Sequence, residues 1–173
     1  SDEGELSASD TKVVIEKFDR SLAEFYRWQT KGQIIVDPEW QRQYVWDEKR
    51  ASKLIESFLL KIPVPVIYLA KRKEDEKYEV IDGLQRLTSV FRYINNEFSL
   101  QKLDILKELN GKKFNDLSDS DQSALEDSVL PSFELSSASS DMRFIVFERL
   151  NTGGVKLNDM EIRNCLYRGS LNL

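Results

Sequence analysis

Val80-Ile81-Asp82-Gly83-Leu84-Gln85-Arg86-Leu87-Thr88-Ser89-Val90-Phe91 contains the change of period on which the fold turns. Tyr78, Val80 and Ile81 form a short apolar run that reads as a buried strand, and Asp82-Gly83 breaks it. Apolar residues then recur at 84, 87, 90, 91 and 94, the spacing of one helix face. A strand therefore ends, the chain turns on glycine, and a helix opens with Gln85 and Arg86 in its first turn. The first turn of a helix carries unpaired N–H groups and about half a positive charge, which attracts anions. Glycine there lets a ligand come close to the backbone, and the forked donor of Arg86 suits phosphate oxygens. Asp82 suits a metal ion, a water or a sugar hydroxyl. The same residues also suit an ordinary strand-to-helix turn, with Asp82 capping the helix and Arg86 paired on the surface.

Outward from this stretch, strands and helices alternate. Val13 to Ile15 reads as a short first strand. Asp19 or Ser21 then caps a helix running to about Lys31, which Gly32 ends, and Gln33 to Val36 is a second strand. A loop from Asp37-Pro38 holds Trp40, Gln41, Arg42, Tyr44 and Trp46. Its aromatics read as packing over the core, while Gln41 and Arg42 sit where strand-end loops build sites. Asp47 caps a helix with apolar residues at 51, 54, 55, 58 and 59, which Pro63 and Pro65 stop. Residues 66–70 form a strand, the charged turn 71–77 closes a hairpin, and 77–81 return.

Further on, Phe98 and Leu100 read as a short strand and 101–121 as irregular. A helix starts at Asp119 or Ser120, and 129–135 is a strand whose Pro131 places it at a sheet edge. A polar linker follows at 136–140, then a helix over 141–150 with Met142, Phe144 or Ile145, and Phe147 inward. Asn151-Thr152-Gly153-Gly154 reads either as a helix C-cap or as an amide-rich loop closing over a ligand, before a last helix to about Arg168. Helices interleaved with strands that include one hairpin point to an α+β fold, a mixed sheet with flanking helices.

The 173 residues suit one domain, at 11–173, behind a frayed or vector-derived end at 1–10. Hydrophobic residues make up 40% and charged residues 32%, as in an ordinary soluble protein, and no apolar run is long enough to cross a bilayer. The single cysteine, Cys165, excludes an internal disulfide and fits a reducing, cytoplasmic setting. Histidine is absent, which excludes Ser-His-Asp and Cys-His catalysis and His-ligated metals in this chain. A metal would need oxygen ligands, which favours magnesium or manganese. A net charge of −5 gives the surface as a whole no pull on DNA and leaves room for a local basic face.

Three blocks, in order, carry a resemblance. Asp82-Gly83-Leu84-Gln85-Arg86-Leu87-Thr88 resembles the Asp-Gly-Gln-Gln-Arg-Leu-Thr signature of GmrSD-type restriction-endonuclease N-terminal domains, in the wider ParB/sulfiredoxin-like superfamily. Trp40-Gln41-Arg42-Gln43-Tyr44-Val45-Trp46 is similar to its Tyr-Gln-Arg-x-Tyr-Val-Trp block. Phe147-Glu148-Arg149-Leu150-Asn151-Thr152-Gly153-Gly154, continuing to Glu161-Ile162-Arg163-Asn164, is similar to its Phe-x-Arg-Leu-Asn-Thr-Gly-Gly block. The resemblance implies a ParB/sulfiredoxin-like core and a nucleotide-binding, NTP-hydrolysing domain of a DNA restriction and phage-defence protein, longer than this chain. It implies a nucleoside triphosphate with Mg2+ as ligand. DNA and a C-terminal or separate nuclease module are the implied partners, with no membrane. Carried over, Asp82 and Gln85 are catalytic, with Asp82 also on the metal; Gln41, Arg42, Gly83, Arg86, Thr88 and Asn151 hold phosphate or nucleotide. Leu84 departs from the family, which has glutamine there, and this bears on hydrolysis more than on binding. The alternative is a DNA-binding module that senses modified bases, with the aromatic loop stacking a base and Arg42 and Arg86 on the backbone.

Overall fold

The computed structural model describes residues 14–36, 46–136, 145, 146, 148 and 149. Its elements are β1 (Val14–Ser21), α1 (Leu22–Thr30), β2 (Ile34–Ile35), α2 (Glu48–Leu59), β3 (Ile67–Lys71), β4 (Tyr78–Asp82), α3 (Leu84–Ile94), α4 (Asp119–Glu126) and β5 (Val129–Ser136). Two short 3-10 turns, Lys107–Leu109 and Phe114–Asp116, lie between α3 and α4. The sheet is mixed, in the order β1-β5-β3-β4-β2. β1 with β5 and β3 with β4 are antiparallel; β3 with β5 and β2 with β4 are parallel. With helices packed on it, this is an α+β fold, as the hairpin between β3 and β4 foretold.

Helix starts follow local chemistry. Ser21 Oγ accepts from Glu24 N at 3.1 Å, Asp47 Oδ1 from Arg50 N at 2.8 Å, and Ser118 Oγ from Asp121 N at 3.1 Å. Each cap stabilises by about 1 kcal/mol. Burial contributes more: α2 hides Ala51, Leu54, Ile55 and Phe58, and a Leu, Ile or Phe side chain taken from water stabilises by about 1.5–3 kcal/mol. These side chains meet Ile67 and Leu69 of β3, Val80 of β4 and Leu87, Val90 and Phe91 of α3 in one core on a single face of the sheet. On the other face Ala70, Ile81 and Leu135 form a smaller cluster against which Tyr68 and Val146 pack.

Several expectations change. β1 is eight residues long, because all eight find partners in β5 from Val14↔Ser136 to Ser21↔Val129. Asp19 is therefore within a strand, and Ser21 alone caps α1. β5 is not an edge strand: it lies between β1 and β3. Pro131 is tolerated because the β3 register begins only at Ile67↔Ser132, so at Pro131 the strand is paired on the β1 side alone. Phe98 and Leu100 make no strand; both are buried core residues of a coil that the 3-10 turns continue. Glu56, inside α2, fixes this coil, its Oε2 accepting from Ile105 N at 3.1 Å and Leu106 N at 2.9 Å. Among the helical residues 145, 146, 148 and 149 it is Val146 that packs inward, whereas Ile145 is exposed.

Candidate functional site at the turn from β4 to α3

The register of β3 on β4 shifts at the end of the hairpin. Tyr68 faces Asp82 while Leu69 faces Val80, so Ile81 is the extra residue of a bulge. Such bulges re-aim side chains. Here the carboxylate of Asp82 comes opposite Tyr68, whose phenol is pushed up from its ordinary pKa first by burial and then by the Asp82 charge.

Gly83 follows at φ +100, a conformation that L side chains rarely adopt. A Cβ built on it would lie 2.3 Å from Ile67 Cγ2 and 2.9 Å from Ile67 Cβ. The close approach at this glycine is thus made by a core isoleucine of β3. Gly83 is also the N-cap of α3, and it offers no side-chain acceptor. The N-cap position falls on Gly83 rather than on Asp82, and the first turn of α3 holds no acidic residue, whereas the N-cap side chains of α1, α2 and α4 each accept from a helix N–H.

Arg86 lies one turn into α3, with its side chain 16% exposed. Its Nη2 donates to the backbone oxygen of Val66 at 2.9 Å and lies 3.8 Å from Asp82 Oδ2. The arginine therefore pairs with Asp82, as an ordinary turn would have it, but in the interior rather than on the surface. It also ties the helix start to the chain just before β3, in the extended segment that follows Pro63 and Pro65. Its Nε is buried and has no hydrogen-bond partner among the described residues, and the same holds for Gln85 Oε1. Buried polar atoms without partners are rare, and each calls for an explanation such as a bound group. Asp82, Gln85 and Thr88 are all buried, Thr88 one turn deeper than Gln85. Leu84, where the related signature has glutamine, is part of the main core, so this position here contributes packing.

The structure thus brings Asp82, Gly83, Gln85, Arg86 and Thr88 onto one strand end and helix start. Gln41, Arg42 and Asn151 lie outside the described residues, as do Trp40 and the Asn151-Thr152-Gly153-Gly154 turn. Sequence reading missed Ile67, which dictates the glycine, the Val66 carbonyl, which holds Arg86, and Tyr68 beside Asp82. The only signal for them was the Pro-x-Pro run that forces an extended approach to β3. Among the described residues no cluster of three or more metal-ligating side chains occurs, and no helix is long and apolar enough to cross a membrane.

The family model for the GmrSD restriction endonuclease, N-terminal domain, matches residues 22–168. No curated protein and no solved structure matches the chain.

Proposed function

This chain belongs to the GmrSD restriction endonuclease N-terminal domain family, and from that premise we propose that it binds a nucleoside triphosphate at the turn from β4 to α3. In this reading it serves a DNA restriction and phage-defence system, with DNA and a nuclease module, in the same chain or separate, as partners. The observation that carries the reading is a pair of buried polar atoms without a hydrogen-bond partner among the described residues, Gln85 Oε1 and Arg86 Nε, on the first turn of a helix whose N-cap is a glycine. A phosphate group placed there would meet helix N–H groups and the free side of a guanidinium. Arg42 would bring a second cation and Gln41 an amide. Asn151 would close over the ligand.

Among the described residues Asp82 is the one carboxylate at the turn. That fits magnesium, which usually binds through one or two carboxylates, substrate phosphates and water, and does not fit a dedicated all-protein metal site. Bound there, the ion would neutralise phosphate charge. Gln85 would orient an attacking water, and slow hydrolysis is the activity that goes with this role. Losing one such preorganised contact costs about 2–4 kcal/mol.

The test is a thermal-shift screen of the chain against each NTP with Mg2+, followed by calorimetry. A bound nucleotide raises the melting temperature with the logarithm of its excess over Kd. Arg86→Ala should abolish the shift while far-UV circular dichroism stays native; Gln85→Ala, which leaves the Arg86 tie to Val66 intact, should weaken it. If no NTP stabilises the native chain, the reading is wrong.

A further inference from the structure

β1 is the outermost strand of the sheet, paired with β5 on one side only among the described residues. Its register runs from Val14↔Ser136 to Ser21↔Val129, and one step beyond, Leu22 N donates to Ser128 O at 2.9 Å. Hydrogen-bonded and non-bonded pairs alternate along an antiparallel ladder. The even-numbered residues of β1 therefore bond β5, and Ile15, Lys17 and Asp19 turn their N–H and C=O groups away from the sheet. Among the described residues no backbone group meets them there.

Proteins blunt such edges with short strands, proline, bulges or charge. β1 is eight residues long, has no proline and pairs with β5 without a shift of register. Val14 and Ile15 are 45% and 50% exposed. Charge is the one device present, and it is balanced: Lys17 and Asp19 stand two residues apart on one face, Glu16 and Arg20 on the other. Among the described residues Glu16, Lys17 and Asp19 make no ion pair.

We propose that β1 is the edge on which a second copy of this chain pairs, strand against strand, about a two-fold axis at Phe18. A two-fold axis through an antiparallel pair sets the central residue against its own copy. Centred on Glu16, Lys17 or Asp19, the pairing opposes like charges, which destabilises it. Centred on Phe18, every charge meets its opposite: Lys17 faces Asp19 of the second copy, Asp19 faces its Lys17, and Glu16 faces its Arg20. Ile15 then faces Ser21 rather than a charge, and the two Phe18 rings, each already under an Arg20 guanidinium at 4.3 Å, meet on the axis. The outward N–H and C=O groups of Lys17 and Asp19 fall opposite one another, as a hydrogen-bonded pair requires. The other edge of the sheet, β2, is only two residues long, too short to receive β1, so the assembly closes as a dimer instead of growing head to tail. β5 and β3 separate β4 from this junction, so the inference does not rest on the nucleotide reading.

Sedimentation velocity of the chain over a range of concentrations tests this, and the native chain should show the mass of two copies. Lys17→Asp and Asp19→Lys, each alone, oppose like charges at two places and should raise the dimer dissociation constant by about tenfold or more. Mixing the two variants restores opposite signs at every pair and should restore the dimer. Lys17→Pro removes an N–H that β5 does not use, so it should abolish the dimer while far-UV circular dichroism stays native. A native chain that sediments as one copy at every concentration, single reversals that leave the dissociation constant unchanged, or a mixture that stays monomeric would each overturn the proposal. All the variants should keep the native response to NTP, so loss of the dimer and loss of nucleotide binding are read separately.

Discussion

Gly83→Ala asks whether the turn is shaped by its own packing. Two costs add. The residue sits at φ +100, and holding a non-glycine residue in so sparsely populated a region costs about 1–3 kcal/mol. The new methyl would also stand 2.3 Å from Ile67 Cγ2. Ile67 is β-branched, fully buried and part of β3, so it cannot swing away. Overpacking of this kind costs about 1–3 kcal/mol. The sum, about 2–6 kcal/mol, is a large share of the 5–15 kcal/mol that holds a typical domain together. Urea unfolding followed by circular dichroism reads it as a fall in midpoint at unchanged m. Ile67→Ala removes the nearer of the two colliding atoms, Cγ2, and leaves Cβ at 2.9 Å, so the double variant should lose less than the sum of the two single losses, by about 1 kcal/mol or more. A loss below about 1 kcal/mol for Gly83→Ala, or strict additivity with Ile67→Ala, would refute the reasoning.

Other outcomes follow from the same structure. Arg20 makes a forked pair with Glu134 at 2.7 and 2.8 Å, bonds Glu24 at 2.9 Å, and lies over the rings of Phe18 and Trp28. Arg20→Ala strands a carboxylate that is only 5% exposed and should cost about 3 kcal/mol or more in urea unfolding. Adding Glu134→Leu should recover part of that loss; no recovery would show that the ion pair is not the cause. The Tyr93 phenol is pushed up, first by burial and then by Asp116 and Asp121. An unfolded tyrosine ionises near about pH 10, so above that pH the unfolded state releases protons that the folded state keeps. Stability should therefore fall through the alkaline range. Tyr93→Phe should make that fall shallower, with Tyr68 and Tyr78, both raised as well, supplying what remains. Identical alkaline limbs in the native chain and the variant would exclude this account.

What could be read from the sequence was whatever a few neighbouring residues decide. The Asp47 cap, the 3-4 spacing of α2, the hairpin between β3 and β4, and the switch from strand to helix at Asp82-Gly83 all act within one or two turns of chain. So do the three sequence blocks that pointed to the family. The tertiary structure decided the rest, because it rests on partners far apart in sequence. β1 extends to Ser21 only because β5, more than a hundred residues on, supplies its hydrogen bonds. Pro131 sits inside the sheet because β3 begins its pairing one residue later. Gly83 is glycine because Ile67 occupies the space of its Cβ, and Arg86 turns inward because the Val66 carbonyl waits twenty residues upstream. Periodicity and capping carry no information about which distant atom fills a space or accepts a proton; packing and backbone hydrogen bonding settle that once the chain has closed on itself.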